Sequence, residues 1–152
     1  CDANKMKTLQ EELQLPNDAA IWLGMLFDAA QVFDDFADGD KVERKELDIL
    51  IWNTLLEMPM NPFYVKHASM LYPAIATAIL KWQSSDTVER LGQPTAMSFA
   101  WRAGFYDIVL LVYVICFGPV QAKENAHRIM ALYGENFDDY MKEFICQTPS
   151  LV

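Results

Sequence analysis

An all-α fold, a single-domain bundle of five or six helices, is what this sequence predicts, and three observations predict it. Nearly every segment between breakers carries apolar side chains at three- and four-residue spacing, the mark of an amphipathic helix. The one β-branched stretch, residues 108–117, has no second strand candidate to pair with. With 53% apolar and 22% charged residues over 152 positions, the chain is too apolar for disorder and long enough for one buried core.

The elements follow from their punctuation. Residues 1–16 form an N-terminal arm or short acidic helix, stopped by Pro16. Asn17 or Asp18 caps a helix running to Asp38, with Gly39 as its terminator. Trp22, Leu26, Ala29, Phe33 and Phe36 make its core stripe. A second helix over about 43–58 buries Leu47, Leu50, Ile51 and Leu55, with Trp52 beside them. Asn61-Pro62 is a cap followed by proline at the first helical position, opening a third helix to about Gln83. Pro73 kinks or splits it, because its ring clashes with a carbonyl one turn back. Polar residues 84–94 read as a linker, and an apolar helix follows over 95–117. Gly118-Pro119 starts a helix to about Tyr133, Gly134 ends it, and a last helix covers 136–146. The bundle thus occupies 17–147, with a C-terminal tail at 148–152.

Charge and cysteine content limit the partners. A net charge of −9 argues against nucleic acid and anionic membrane, which repel an acidic surface. The longest apolar run, 108–117, is about half of what a bilayer span needs. Cys1, Cys116 and Cys146 are too few and odd in number for a disulfide framework, so a reducing cytoplasm is the expected setting. Cys1 admits two readings: the first residue of a mature lipoprotein, or a chain that lost its initiator Met.

The acidic run of the first long helix is the sharpest chemical candidate. Asp28, Gln31, Asp35 and Asp38 fall within an arc of roughly 80° on one helix face. Close carboxylates are what Mg²⁺ needs to hold a diphosphate, so Asp28, Asp35 and Asp38 are the candidate metal ligands. The bland alternative is a solvated helix face. The string Asp34-Asp35-Phe36-Ala37-Asp38 resembles the DDxxD segment of trans-prenyltransferases, a resemblance of about fifteen residues that implies Mg²⁺–diphosphate binding. Those enzymes carry two facing acidic motifs, and Asp138-Asp139 here lacks a third aspartate. Glu43-Arg44-Lys45-Glu46 resembles the ExxE element of all-α nucleotide pyrophosphohydrolases, but the later ExxD is reduced to Asp107.

Asp107 sits in an otherwise apolar helix, where a buried carboxylate must be paired or hydrogen-bonded. Arg102 is badly placed to pair with it along the same helix. Lys66, His67, Trp52 and Trp22 are the expected donors, so Asp107, Arg102 and His67 mark a second, polar site. His67 alone reads as a satisfied core residue. No Gly-rich phosphate loop, CxxC pair or local nucleophile–base spacing occurs, which argues against P-loop, zinc and nucleophilic chemistry. Four tryptophans and nine phenylalanines exceed what one small core needs; the surplus points to a surface between subunits, the competing account being a dense aromatic core.

The order of features over about 20–143 resembles a family of small proteins encoded by tailed bacteriophages. The acidic tract 34–40 is followed by Trp52, then Met58-Pro59-Met60-Asn61-Pro62-Phe63-Tyr64, Trp82 and Arg102…Tyr106-Asp107-Ile108. The resemblance implies a setting, host cytoplasm or virion, and no activity. The expected function is therefore interaction or self-assembly without catalysis, with a homo-oligomer or other protein as partner and no cofactor. The alternative is a Mg²⁺-dependent enzyme on a diphosphate, with Arg102 or Lys66 near the phosphate.

Overall fold

The structure, a computed structural model, describes residues 3–145; Cys1, Cys146 and the expected tail at 148–152 lie outside them. The described residues are all-helical, with no strand among them. Eight helical segments replace the expected five or six. They are α1 (Ala3–Leu13), α2 (Asn17–Ala37), α3 (Arg44–Trp52, running on through a π turn at Asn53–Glu57 into Met58–Met60) and α4 (Pro62–Arg90). α5 (Ala96–Trp101), α6 (Gly104–Phe117), α7 (Pro119–Met130) and α8 (Phe137–Ile145) complete the chain. No described helix is long and apolar enough to cross a membrane.

Two of the extra segments have clear causes. The N-terminal arm is a helix of its own, ended by Gln14 in the left-handed region (φ 53°). The apolar stretch expected as one helix over 95–117 breaks at Arg102 and Ala103 into α5 and α6. The expected linker at 84–94 is helical as far as Arg90. Its polar side chains serve the helix: Ser84 Oγ and Thr87 Oγ1 each donate to a carbonyl four residues back at 2.8 Å, and Asp86 pairs with Arg90 at 2.9 Å. Within α4 the backbone leaves helical geometry at His67 (φ −118°, ψ 17°), about a turn and a half before Pro73.

The caps divide similarly. Asn61 Oδ1 accepts from the backbone N–H of Phe63 and Tyr64, at 3.0 and 3.2 Å, as the cap expected before Pro62. Thr95 and Ser98 form a reciprocal capping box at the start of α5. Neither Asn17 nor Asp18 caps α2, which instead begins directly after Pro16. Gly118 ends α6 with φ 85°, a conformation that a side chain would strain, and Pro119 then starts α7.

The chain forms two compact units, Cys1–Leu71 and Tyr72–Val152. In the first, α1 packs along α2, and Leu9, Leu13, Leu15, Ala19, Ala20, Trp22 and Leu23 are buried. Trp22 is fully buried and stacks on Tyr64 with ring centroids 5.5 Å apart. Its indole N–H meets no acceptor, a cost of about 1–3 kcal/mol in a core position. In the second unit α6 packs on α7, and Tyr106, Ile108, Val109, Val112 and Ile129 are buried. Gly104 permits a close approach there: a Cβ on it would stand 3.2–3.3 Å from the Cβ, Cα and carbonyl oxygen of Ala78.

The apolar stripes of α2 and α3 depart furthest from expectation. Trp22 and Ala29 are buried, yet Phe33 and Phe36 further along the same stripe are exposed, Phe36 by 78%. In α3, Leu47, Ile51, Trp52 and Leu55 are all exposed rather than buried, and Leu50 only half-buried. From its start through the π turn, α3 contains no buried residue at all.

Candidate functional site

Three places on the molecule hold the residues of interest, two in the first unit and one in the second. The first is a cleft of about 340 Å³ between α2 and α3. Its walls include Asp28, Gln31 and Asp35 of α2 and Glu46, Ile49, Leu50 and Asn53 of α3. Two of the three expected metal ligands thus share a cleft with a facing carboxylate. Asp38 is the residue just beyond α2, exposed and outside that lining. Glu46 has work of its own: Oε2 accepts the backbone N–H of Glu43 at 2.8 Å, closing the first turn of α3. Among the described residues no three His, Cys, Asp or Glu side chains converge as they would around an ion.

The second place is the opposite side of α3. At about 100° per residue, Leu47, Ile51 and Leu55 form a stripe turned away from Glu46, Leu50 and Asn53. Trp52 flanks the stripe and is 58% exposed; its Nε1 donates to Glu57 Oε1 at 3.0 Å. Lys45, Asp48, Ile49 and Trp52 line an open groove of about 610 Å³ along the same flank. Arg44 pairs with Asp48 at 3.1 Å across one turn.

In the second unit, α4, α5 and α8 meet in a polar network that the sequence pattern did not reveal. Ser85 and Ser98 are fully buried. Ser85 Oγ lies 2.9 Å from Glu89 Oε1 and 2.8 Å from the Ser98 carbonyl oxygen. The Tyr140 hydroxyl stands 2.6 Å from Ser98 Oγ and donates to Glu89 Oε1 at 3.0 Å. Arg102 supplies the counter-charge, 3.7 Å from Glu89 and over the Tyr140 ring. Burial pushes the Tyr140 phenol above its ordinary value, and the neighbouring Glu89 adds to the shift. Burial and Glu135 raise Tyr133 in the same way. Each buried hydroxyl in the network has a partner, so the arrangement rigidifies a helix junction. Two signals for it were present in the sequence: Thr95 and Ser98 at capping-box spacing, and Ser85 and Glu89 one helical turn apart.

The second set of expected residues is redistributed. Asp107 is 43% exposed rather than buried, and its partner is Lys81 of α4, at 2.5 Å, instead of Lys66, His67, Trp52 or Trp22. Arg102 belongs to Glu89. His67 packs its ring against Phe63, centroids 4.7 Å apart. Each of the three therefore answers to neighbours of its own. No family model, no curated protein and no solved structure matches the chain.

Proposed function

We propose that this chain is a phage-encoded helical protein of the host cytoplasm or virion that acts by protein–protein contact, with the outer face of α3 as its contact surface. The observation that carries this reading is a helix with no buried residue from Arg44 to Glu57 and a continuous apolar stripe. Helices of this length gain most of their stability from burying one face, and are marginal in water without it. A contiguous exposed apolar patch marks an interaction surface, and the exposed Trp52 beside the stripe is of a type that interfaces enrich. The setting rests on the resemblance in feature order. The charge of −9 argues against nucleic acid as the partner.

Light scattering combined with binding of an apolar fluorescent dye tests the reading, comparing the unaltered chain with Leu55→Arg. The expected result is either an assembly heavier than 17.4 kDa or a monomer that binds dye, with both properties lost in Leu55→Arg at unchanged helical circular dichroism. A monomer whose dye binding matches that of the variant overturns it.

A second reading has one observation in its favour, the cleft that Asp28 and Asp35 share with Glu46. It makes the chain a Mg²⁺-dependent enzyme on a diphosphate, and thermal stability in Mg²⁺ tests it.

A further inference from the structure

We infer that α8 is a lid that opens and closes as one unit over the α4–α5 junction, with Tyr140 as its catch and residues 134–136 as its hinge.

One side chain supplies most of the hold. Of the nine residues Phe137–Ile145, Tyr140 alone is buried, whereas α6 buries six. Asp138, Asp139, Lys142 and Glu143 are exposed, and Phe137 meets the Phe99 ring edge-on, 5.5 Å between centroids, while staying exposed itself. The Tyr140 ring packs on Phe99 at 5.3 Å, with the Arg102 guanidinium 5.6 Å from its centroid. Its hydroxyl reaches past Phe99 to Ser98 Oγ and Glu89 Oε1. Local stability follows the number of buried contacts, so a helix hung on one residue opens before the core that it rests on.

Opening also melts the helix. Nine residues fall short of the roughly 12–15 that an isolated helix needs in water. The first turn and the catch form together: Asn136 Oδ1 accepts the Asp139 N–H at 3.1 Å, and the Asn136 carbonyl accepts the Tyr140 N–H at 3.0 Å. Seating Tyr140 and winding α8 are therefore one event, and the lid has two states.

The hinge lies just before it. Tyr133 stays with the core, its ring 5.3 Å from Phe99 and 5.7 Å from Tyr106 and its hydroxyl 3.2 Å from the Phe99 carbonyl oxygen. Gly134, Glu135 and Asn136 are exposed and outside any helix. Three extended residues span about 10 Å, enough to lift α8 clear while fully buried Ile129 keeps α7 in place. The open state uncovers fully buried Ser85 and Ser98 and admits water to the Glu89–Arg102 pair, which the closed lid seals.

Amide hydrogen exchange of the full chain, read residue by residue by NMR, tests this. The amides of residues 140–145 are expected to share one opening constant, at least about a hundredfold larger than that of the α6 amides. About 1 M urea should enlarge the α6 constant and leave the α8 constant nearly unchanged, because little surface is exposed when the lid opens. Val109→Ala, in the core of α6, should raise the α6 constant at least about tenfold without moving that of α8. Tyr140→Phe should raise the α8 constant about tenfold. A single constant for α6 and α8, or equal acceleration of both by Val109→Ala, overturns the lid. Constants that climb steadily from 140 to 145 describe a fraying end and overturn it as well. An unchanged α8 constant in Tyr140→Phe overturns Tyr140 as the catch.

Discussion

The Tyr140 hydroxyl donates to Glu89 Oε1 at 3.0 Å, fastening the last described helix to the C-terminal half of α4. Glu89 also receives Ser85 and faces Arg102, so Tyr140 is one of three donors around a largely buried carboxylate. Tyr140→Phe removes a hydroxyl while leaving Glu89 partly satisfied, and should cost about 1–2 kcal/mol. Glu89→Ala should cost more, about 3 kcal/mol, because Arg102 is left largely buried without its counter-ion. Urea unfolding followed by circular dichroism measures both; equal costs would contradict this ordering.

Tyr133 and Tyr140 share a pH consequence. Both phenols have folded pKa values raised above 10, so the folded chain holds these protons more tightly than the unfolded chain does. Their contribution to stability is complete below pH 10 and is lost as pH rises from 10 through the folded values. The melting temperature should therefore fall above about pH 10, and Tyr140→Phe should make that fall shallower. Parallel alkaline profiles for the two proteins would refute the assignment.

Asp107 and Lys81 are the opposite case. Their side chains remain 43% and 34% exposed, so water screens the pair. Asp107→Asn should cost less than about 1 kcal/mol, well below the cost at Glu89. A loss of several kcal/mol would show that Asp107 is engaged more deeply than this geometry allows.

What the sequence revealed, and what it hid, follows from the range of each interaction. Asn61, Thr95, Gly118 and Pro119 punctuate helices through contacts within a few residues, and a local pattern suffices to find them. The Ser85–Glu89–Ser98–Tyr140 network joins positions up to 55 residues apart, and half of it falls in a polar stretch that reads as a linker. Asp107 looked buried because its own helix is apolar, yet Lys81 reaches it from α4 at the edge of that surface. The Leu47–Ile51–Leu55 stripe was visible as a stripe. Its direction was not, since periodicity says which side chains share a face and nothing about what covers them.

Gly104 offers a packing test. Its missing side chain lets α6 approach α4 at Ala78, where two of the three nearest atoms are backbone and cannot rotate away. Gly104→Ala carries a helix-propensity gain, small at the first residue of α6, against a contact that must open by a few tenths of an ångström. The net change should be a destabilisation of about 1 kcal/mol, and Gly104→Val should cost about 3 kcal/mol. An unchanged or raised melting temperature in Gly104→Ala would mean that the helices separate freely.

The α2–α3 cleft separates contact from catalysis. Asp28 and Asp35 face Glu46 across it, but Glu46 holds the first turn of α3 and Asp38 lies outside the lining. A site that bound Mg²⁺ in the folded state alone would raise the melting temperature by mass action, in proportion to occupancy. With two aspartates and one committed glutamate, about 5 mM Mg²⁺ should move it by less than about 1 °C, and Asp28→Asn with Asp35→Asn should respond identically. A saturable rise of several degrees that disappears in the double variant would make this cleft the working centre of the molecule, and α3 would then be the wall of a metal site before it is a docking helix.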